Sequence, residues 1–392
     1  FEGSNLSILI NTLAYNSYIS AYNTNMVVNE TFIDSATLRE NVVSLARNIG
    51  YVPRSKSAAK TKVDYFVTGI STSTSTITFQ PGVIANGTVS NANYIFSLPE
   101  TVTGTVTNGI SEGTIEICQG QYLSSRFVVN NSQPNQRFIL PNSDIDTSTI
   151  IVKVLESTST EYNLVENIIG ITSTSNIYLI QETTDEKYEL LFGDNVFGKK
   201  LDSGNVVNVS YIKTSGSNGN GAARFKFAGS IKDENGATLD GYRTVLTAQY
   251  PSENGDEIET LDSVRYYAPR LYSSQHRAVT ASDYEAILPS VYPNIESVSA
   301  YGGEELTPPQ YGRVYISAKP KNGSFLSDFT KKDILSSLKN YSVAGIVPVF
   351  VDLKFLYVEI DSYIYYNANF VGNEELLKSN IISALTAFAS GS

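Results

Sequence analysis

The chain has 392 residues, with 28 lysines and arginines against 39 aspartates and glutamates, for a net charge of −11. That length holds two or three domains with cores of their own, and that charge repels a phosphate backbone, so nucleic acid is excluded as an expected partner. One cysteine, Cys118, and one histidine, His276, exclude a disulfide framework, a multi-cysteine metal site and most zinc or triad arrangements, and no cofactor is expected.

The stretch from Gly3 to Arg54 is the only long helical signal in the first half of the chain. From Ser4 onward, Ile8, Tyr15, Ile19, Tyr22 and Met26 recur on one face, while Leu6, Leu9, Ile10 and Leu13 fill the opposite side. Asn5, Asn11, Thr12, Asn16, Ser17 and Ser20 interrupt this run too often for a membrane span. A second helix is expected from Ser35 or Thr37, where Thr37 to Glu40 fits a capping box, through Val42, Val43, Leu45, Ala46 and Ile49 to a stop at Gly50. Pro53 forbids continuation. The two helices make an α-helical hairpin over residues 1–54. A helix apolar on most sides must be surrounded, by its own chain or by another chain's helices. The strand-like sequence that follows offers little apolar surface for the purpose. Packing between chains is therefore expected through Leu6, Leu9, Ile10, Leu13, Ile19, Tyr22, Met26, Val42 and Leu45. Gly50 and Pro53 are the expected hinge behind this element, and Ser215 to Gly221 is a second candidate joint.

Residues 55–240 change to short runs of Val, Ile, Thr, Tyr and Phe separated by Gly, Asn, Ser and Pro, the grammar of a central antiparallel all-β region of one or two domains. Val63 to Val67, Ser75 to Phe79, Thr114 to Cys118 and Val206 to Tyr211 alternate apolar with polar residues, and Pro81-Gly82, Asn86-Gly87, Asn108-Gly109 and Ser203-Gly204 mark turns. The run Ser217 to Gly221 lacks the lysine and crossover helix of a phosphate loop, and Asp233 to Asp240 lacks the alternating ligands of a calcium loop.

Residues 241–392 read as an α+β region of ferredoxin-like type. It holds a short helix through Leu261, Val264 and Tyr267, and a helix capped by Thr280 with Asp283 at its third position. Strands follow at Ile295 to Tyr301 and Gly312 to Lys319, then a helix capped by Thr330, a strand pattern from Val347 to Tyr366 and a helix from Glu374 to Phe388.

Nothing in this inventory demands chemistry. His276 stands in a loop without a serine elbow or a cysteine partner, and a saccharide cleft built on tryptophan is impossible in a chain with no Trp. The 26 tyrosines suit sheets and interfaces, Asp283 has a capping role, and Arg277 is expected to pair with an acid or a carbonyl. Two readings remain: a structural assembly subunit, and a carbohydrate-interacting β protein that is either an adhesin or a glycan hydrolase. The greasy helical pair favours the first.

Three stretches beyond composition carry a resemblance. The N-terminal run to Ala59 is one. The second is Phe192-Gly193-Asp194-Asn195-Val196-Phe197-Gly198, and the third is Glu259 to Pro269 with Arg265, followed by Arg277-Ala278-Val279-Thr280-Ala281-Ser282-Asp283-Tyr284. Together, in this order, they resemble the Baseplate J-like family of wedge proteins in contractile-tailed (myovirus) phages. The resemblance implies a non-enzymatic virion subunit of the tail baseplate, assembled in the host cytoplasm, without metal, cofactor or membrane. It further implies a homodimer that joins other baseplate wedge proteins through a helical bundle, reaches the tail hub and sheath-proximal components indirectly, forms an inner ring and changes its angles when the sheath contracts. Family members begin before the helical hairpin and continue past the last helix. A chain that starts at Phe1 and stops at Ser392 is therefore expected to be a piece of a longer protein.

Overall fold

The computed structural model describes residues 4–133, 136–165, 171–275, 277–292, 294–321, 325–353, 362–366 and 373–390. They form two units, Phe1–Asp352 and Leu353–Ser392. His276 lies outside the described residues.

Two helices open the chain. Helix α1 spans Asn5–Asn29 and begins at Ser4, whose hydroxyl accepts from the Ser7 amide. Helix α2 spans Arg39–Asn48. The capping box expected at Thr37 does not form: Leu38 holds the N-cap position and supplies no side-chain bond. The Thr37 and Leu38 amides are instead taken by the Glu30 carboxylate, from the end of α1. The stop falls as expected, with Gly50 at φ +83°, a left-handed conformation that disfavours residues bearing a Cβ.

The strand Lys60–Thr68 shows why the middle of the chain is sheet. Val63, Tyr65 and Val67 turn inward while Lys62, Asp64 and Phe66 face out, the period of two of a strand with one wet face. It lies in a six-stranded antiparallel sheet of order 225–227, 82–89, 92–98, 110–119, 60–68, 243–248. A three-stranded sheet of 231–233, 76–79 and 102–105 shares the same core, where Tyr65 meets Phe79 edge-on at 4.9 Å.

A second β body is inserted into the first. Its sheet has seven strands, in the order 121–128, 206–213, 145–155, 159–164, 177–182, 188–192, 138–139, around Val152, Val154, Tyr188, Leu190, Val207 and Val209. One pair departs from the antiparallel pattern: 159–164 and 177–182 run parallel, with Asn163 opposite Ile177. Where the chain leaves and re-enters the first body, the Thr214 hydroxyl and Ser215 amide donate to Gln119 Oε1 at 2.7 and 3.0 Å. The Ser252 hydroxyl donates to the Gly219 carbonyl at 2.6 Å, and Asn220 and Gly255 bond reciprocally. The Ser215 to Gly221 stretch, expected as a joint, is thus bolted to two neighbouring segments, at Gln119 and at Ser252 to Gly255.

The last layers are α+β. Helix α3 (Leu261–Ser274) is longer than expected and carries Pro269 inside it. Helix α4 (Ala281–Val291) has the full capping box of Thr280 and Asp283. Helix α5 (Asp328–Leu338) starts earlier than expected, because Ser327 rather than Thr330 is the N-cap and accepts from the Thr330 amide at 3.1 Å. Strand 295–302 pairs antiparallel with 313–320, which runs parallel to 347–350 after the α5 crossover. Tyr284, Ile287 and Leu288 of α4 and Ile334 and Leu338 of α5 fill the core against this sheet. The strand expected from Val347 to Tyr366 forms only over Val347–Phe350: residues 351–353 and 362–366 are not strand, and residues 354–361 lie outside the described residues. Helix α6, Glu374–Ser390, belongs to the second unit. Among the described residues no helix is long and apolar enough to cross a membrane.

Candidate assembly interface

Helix α1 runs for 25 residues without one buried residue. At 1.5 Å per residue it is about 37 Å long. Leu6, Leu9, Ile10, Leu13, Tyr22 and Met26 are 58, 56, 49, 58, 57 and 41% exposed, and Ile19 is half-buried. Ile8, Tyr15, Tyr18, Val27 and Val28 are exposed as well, so the apolar surface continues round the helix. No charged residue occurs between Gly3 and Asn29. A solvated helix normally carries a charged face, and covering each such side chain stabilises by about 1.5–3 kcal/mol. This is a continuous apolar surface left uncovered by its own chain.

Helix α2, by contrast, is consumed by its own chain. Val42 and Ala46 are fully buried in a cluster with Ala36, Tyr51, Val264 and Ala268, and Leu45 and Ile33 pack against it. Val42 and Leu45 are therefore removed from the expected inter-chain surface: α3, more than two hundred residues downstream, covers them. The connection after α2 is fastened by one carboxylate. Glu259, whose side chain is fully buried, accepts from Tyr51 Oη at 2.7 Å, Ser263 Oγ at 2.5 Å and the Arg54 amide at 2.9 Å. Burial, and then the Glu259 charge, push the Tyr51 phenol well above the ordinary tyrosine range. Gly50 and Pro53, expected as the hinge, thus flank an anchored segment rather than a free one.

Arg39, at the start of α2, ties the helix to the inserted β body. Its guanidinium donates to both Glu182 carboxylate oxygens, at 2.8 and 3.1 Å, and to the Glu259 carbonyl at 2.6 Å. Burial raises the Glu182 carboxyl above its usual range, with Arg39 opposing the shift. This three-way junction escaped sequence reading, since its partners are 143 and 220 residues from Arg39.

The motif residues turn out to be structural. Asp194 accepts from the Phe197 and Val196 amides at 2.8 and 2.9 Å, and these bonds lower its pKa. A Cβ on Gly193 would stand 2.2 Å from the Gly198 carbonyl carbon, and Gly198 has φ +82°, so the turn requires both glycines. Phe192 packs edge-on to Phe138 at 5.2 Å. Arg265 reaches back to the Ala36 carbonyl and to Asp262. Pro269 sits within α3, Thr280 and Asp283 cap α4, and Tyr284 is buried. The Arg277 side chain, expected to pair, is exposed and bonds to none of the described residues. Among the described residues no group of three or more His, Cys, Asp or Glu is placed to hold a metal ion.

Three family models match this chain in sequence order. Residues 1–51 match the helical domain of gp6-like baseplate wedge proteins, residues 126–214 the third domain of bacteriophage baseplate wedge protein gp6, and residues 280–351 C-terminal domain I of the baseplate structural protein gp6. All three models describe gp6 baseplate wedge proteins, and the chain is similar to that family along these segments. It is 26% identical over 410 residues to baseplate wedge protein gp6 of Enterobacteria phage T4, across 99% of this chain and 61% of that protein. The chain thus spans about three fifths of that relative's length. Two solved assemblies are more distant. The cryo-EM structure of the anti-feeding prophage baseplate is 12% identical with a TM-score of 0.33, covering 90% of this chain and 68% of that one. The type VI secretion system TssK-TssF-TssG baseplate subcomplex is 7% identical with a TM-score of 0.37, covering 91% and 99%. Likeness at that level carries no argument about function.

Proposed function

We propose that this chain is a structural, non-enzymatic subunit of the baseplate wedge in a contractile phage tail, and that α1 is its docking element. The observation that carries the proposal is an uncharged α1 with no fully buried residue beside an α2 that its own chain buries completely on one face. In this reading α1 enters a helical bundle with other wedge proteins. The chain also dimerises, repeats in an inner ring round the hub, and changes its angles as the sheath contracts, within the wider Baseplate J-like group. Its place is the virion tail baseplate, after assembly in the host cytoplasm. The similarity to gp6 wedge proteins supports the wedge assignment, and the α1 surface supports the bundle.

The test replaces Leu9 and Leu13 by Asp. Two charges in a packed seam cost several kcal/mol, roughly 4 or more. Light scattering after size-exclusion chromatography should show the native chain in complexes with the other wedge proteins and the variant alone, with unchanged melting of the β bodies. Complexes that persist in the variant would refute the docking role.

A further inference from the structure

We infer that Glu30 is the latch that fixes the direction of α1, and that the chain's movable joint lies at 29–32 rather than at Gly50 or Pro53. The inference rests on the docking role proposed above only for its consequence, not for its geometry.

The two sides of this joint are held very differently. Beyond residue 32 the connection is fastened: Ile33 and Ala36 belong to the cluster of α2 and α3, and Arg265 donates to the Ala36 carbonyl. Before residue 30 no residue of α1 is fully buried. Between these limits the Glu30 side chain folds back on α2. Its Oε1 accepts from the Thr37 amide at 2.8 Å and the Thr37 hydroxyl at 2.6 Å, and its Oε2 from Asn41 Nδ2 at 2.8 Å and the Leu38 amide at 3.3 Å. Two of those donors are backbone amides at the start of α2, where a negative charge also meets the positive end of the helix dipole. Among the described residues one further bond runs from one side of the joint to the other, from the Ser35 hydroxyl to the Asn29 carbonyl at 2.7 Å, while the Thr31 amide and hydroxyl bond back to the Val28 carbonyl and the Ser35 and Ala36 amides to the Phe32 carbonyl. The same four donors hold the Glu30 carboxyl down to a pKa of about 2, the Thr37 hydroxyl contributing most.

One carboxylate thus does two tasks: it ends α1 and caps α2. With it in place the two axes keep one angle, and the docking helix meets its partners in a fixed orientation. Without it, one hydroxyl bond spans the joint and α1 swings about its last residues.

The test is the distance between spin labels at Ser17→Cys and Asn48→Cys, both exposed, measured in the full chain diluted with unlabelled protein. Cys118 is buried, and a control without the introduced cysteines subtracts any label it takes. The native chain should give a single narrow distribution. Glu30→Gln should broaden it, Glu30→Ala should lose the single peak, and Thr37→Val should broaden it less. Unchanged melting of the β bodies and unchanged helix content confirm that the variants are folded. A broad native distribution, or a native-like one in folded Glu30→Ala, overturns the latch. The docking role is read separately: the Leu9→Asp, Leu13→Asp variant loses its partners while keeping the native distance distribution.

Discussion

Helices α1 and α2 are neighbours in sequence, similar in their aliphatic content, and opposite in fate. Helix α2 loses Val42 and Ala46 wholly to a core shared with α3, and its first arginine is locked between Glu182 and the Glu259 backbone. Helix α1, two and a half times as long, has no fully buried residue. The lesson is that apolar content alone does not identify an interface. What separates the two is whether the chain supplies a partner, and for α2 that partner comes from beyond two intervening β bodies.

The largest effect that sharpens this contrast is an aspartate placed in each helix. Val42→Asp buries an unpaired charge and should cost about 4 kcal/mol, visible as an early loss of the α2–α3 layer in denaturant. Leu13→Asp should leave that transition unmoved, because Leu13 is exposed in the isolated chain. Equal destabilisation by both would mean that α1 is packed on its own chain. Next in size is Glu259→Ala, which strips the acceptor from Tyr51, Ser263 and the Arg54 amide. It should cost about 3 kcal/mol, read from the same denaturation curve, and free the segment around Gly50 and Pro53. A variant as stable as the native chain would show that this anchor is dispensable.

How much of this was legible follows from where each interaction lies in sequence. The start of α1 at Ser4, the stop at Gly50 and the Thr280–Asp283 box involve residues three or four apart, and local spacing announces them. The alternation of Val63, Tyr65 and Val67 likewise declares a strand. Two things were hidden. The insertion of one β body in another leaves no local trace, since each sheet buries its own alternate residues whatever the order of connection. The cap of α2 was misassigned because a hydroxyl at Thr37 satisfies the local rule, while the acceptor actually used, Glu30, stands seven residues back. The absence of charge from Gly3 to Asn29 was the readable signal for the reach of the α1 surface, extending it to Tyr18, Val27 and Val28.

The smallest expected effect is in pH. Because the Glu30 carboxyl is depressed from 4.5 to about 2, its contribution to the α1–α2 connection is complete above the unfolded value and is lost as pH falls from there toward 2. The difference between the native chain and Glu30→Gln in local amide exchange at Thr37 and Leu38 should therefore be constant above roughly pH 5 and shrink below it. A difference that instead changed between pH 6 and 8 would assign the latch to another group.

Amide hydrogen exchange of α1, compared between the isolated chain and the assembled baseplate, tests the central claim most directly. The account predicts that amides of residues 5–29 exchange quickly in the isolated chain, where fraying of an unpacked helix is easy, and become strongly protected on assembly. Those of Val42, Val43 and Ala46 should be protected in both. Equal protection of α1 in the two states would contradict the account, because it would mean that the helix never needed another chain to cover it.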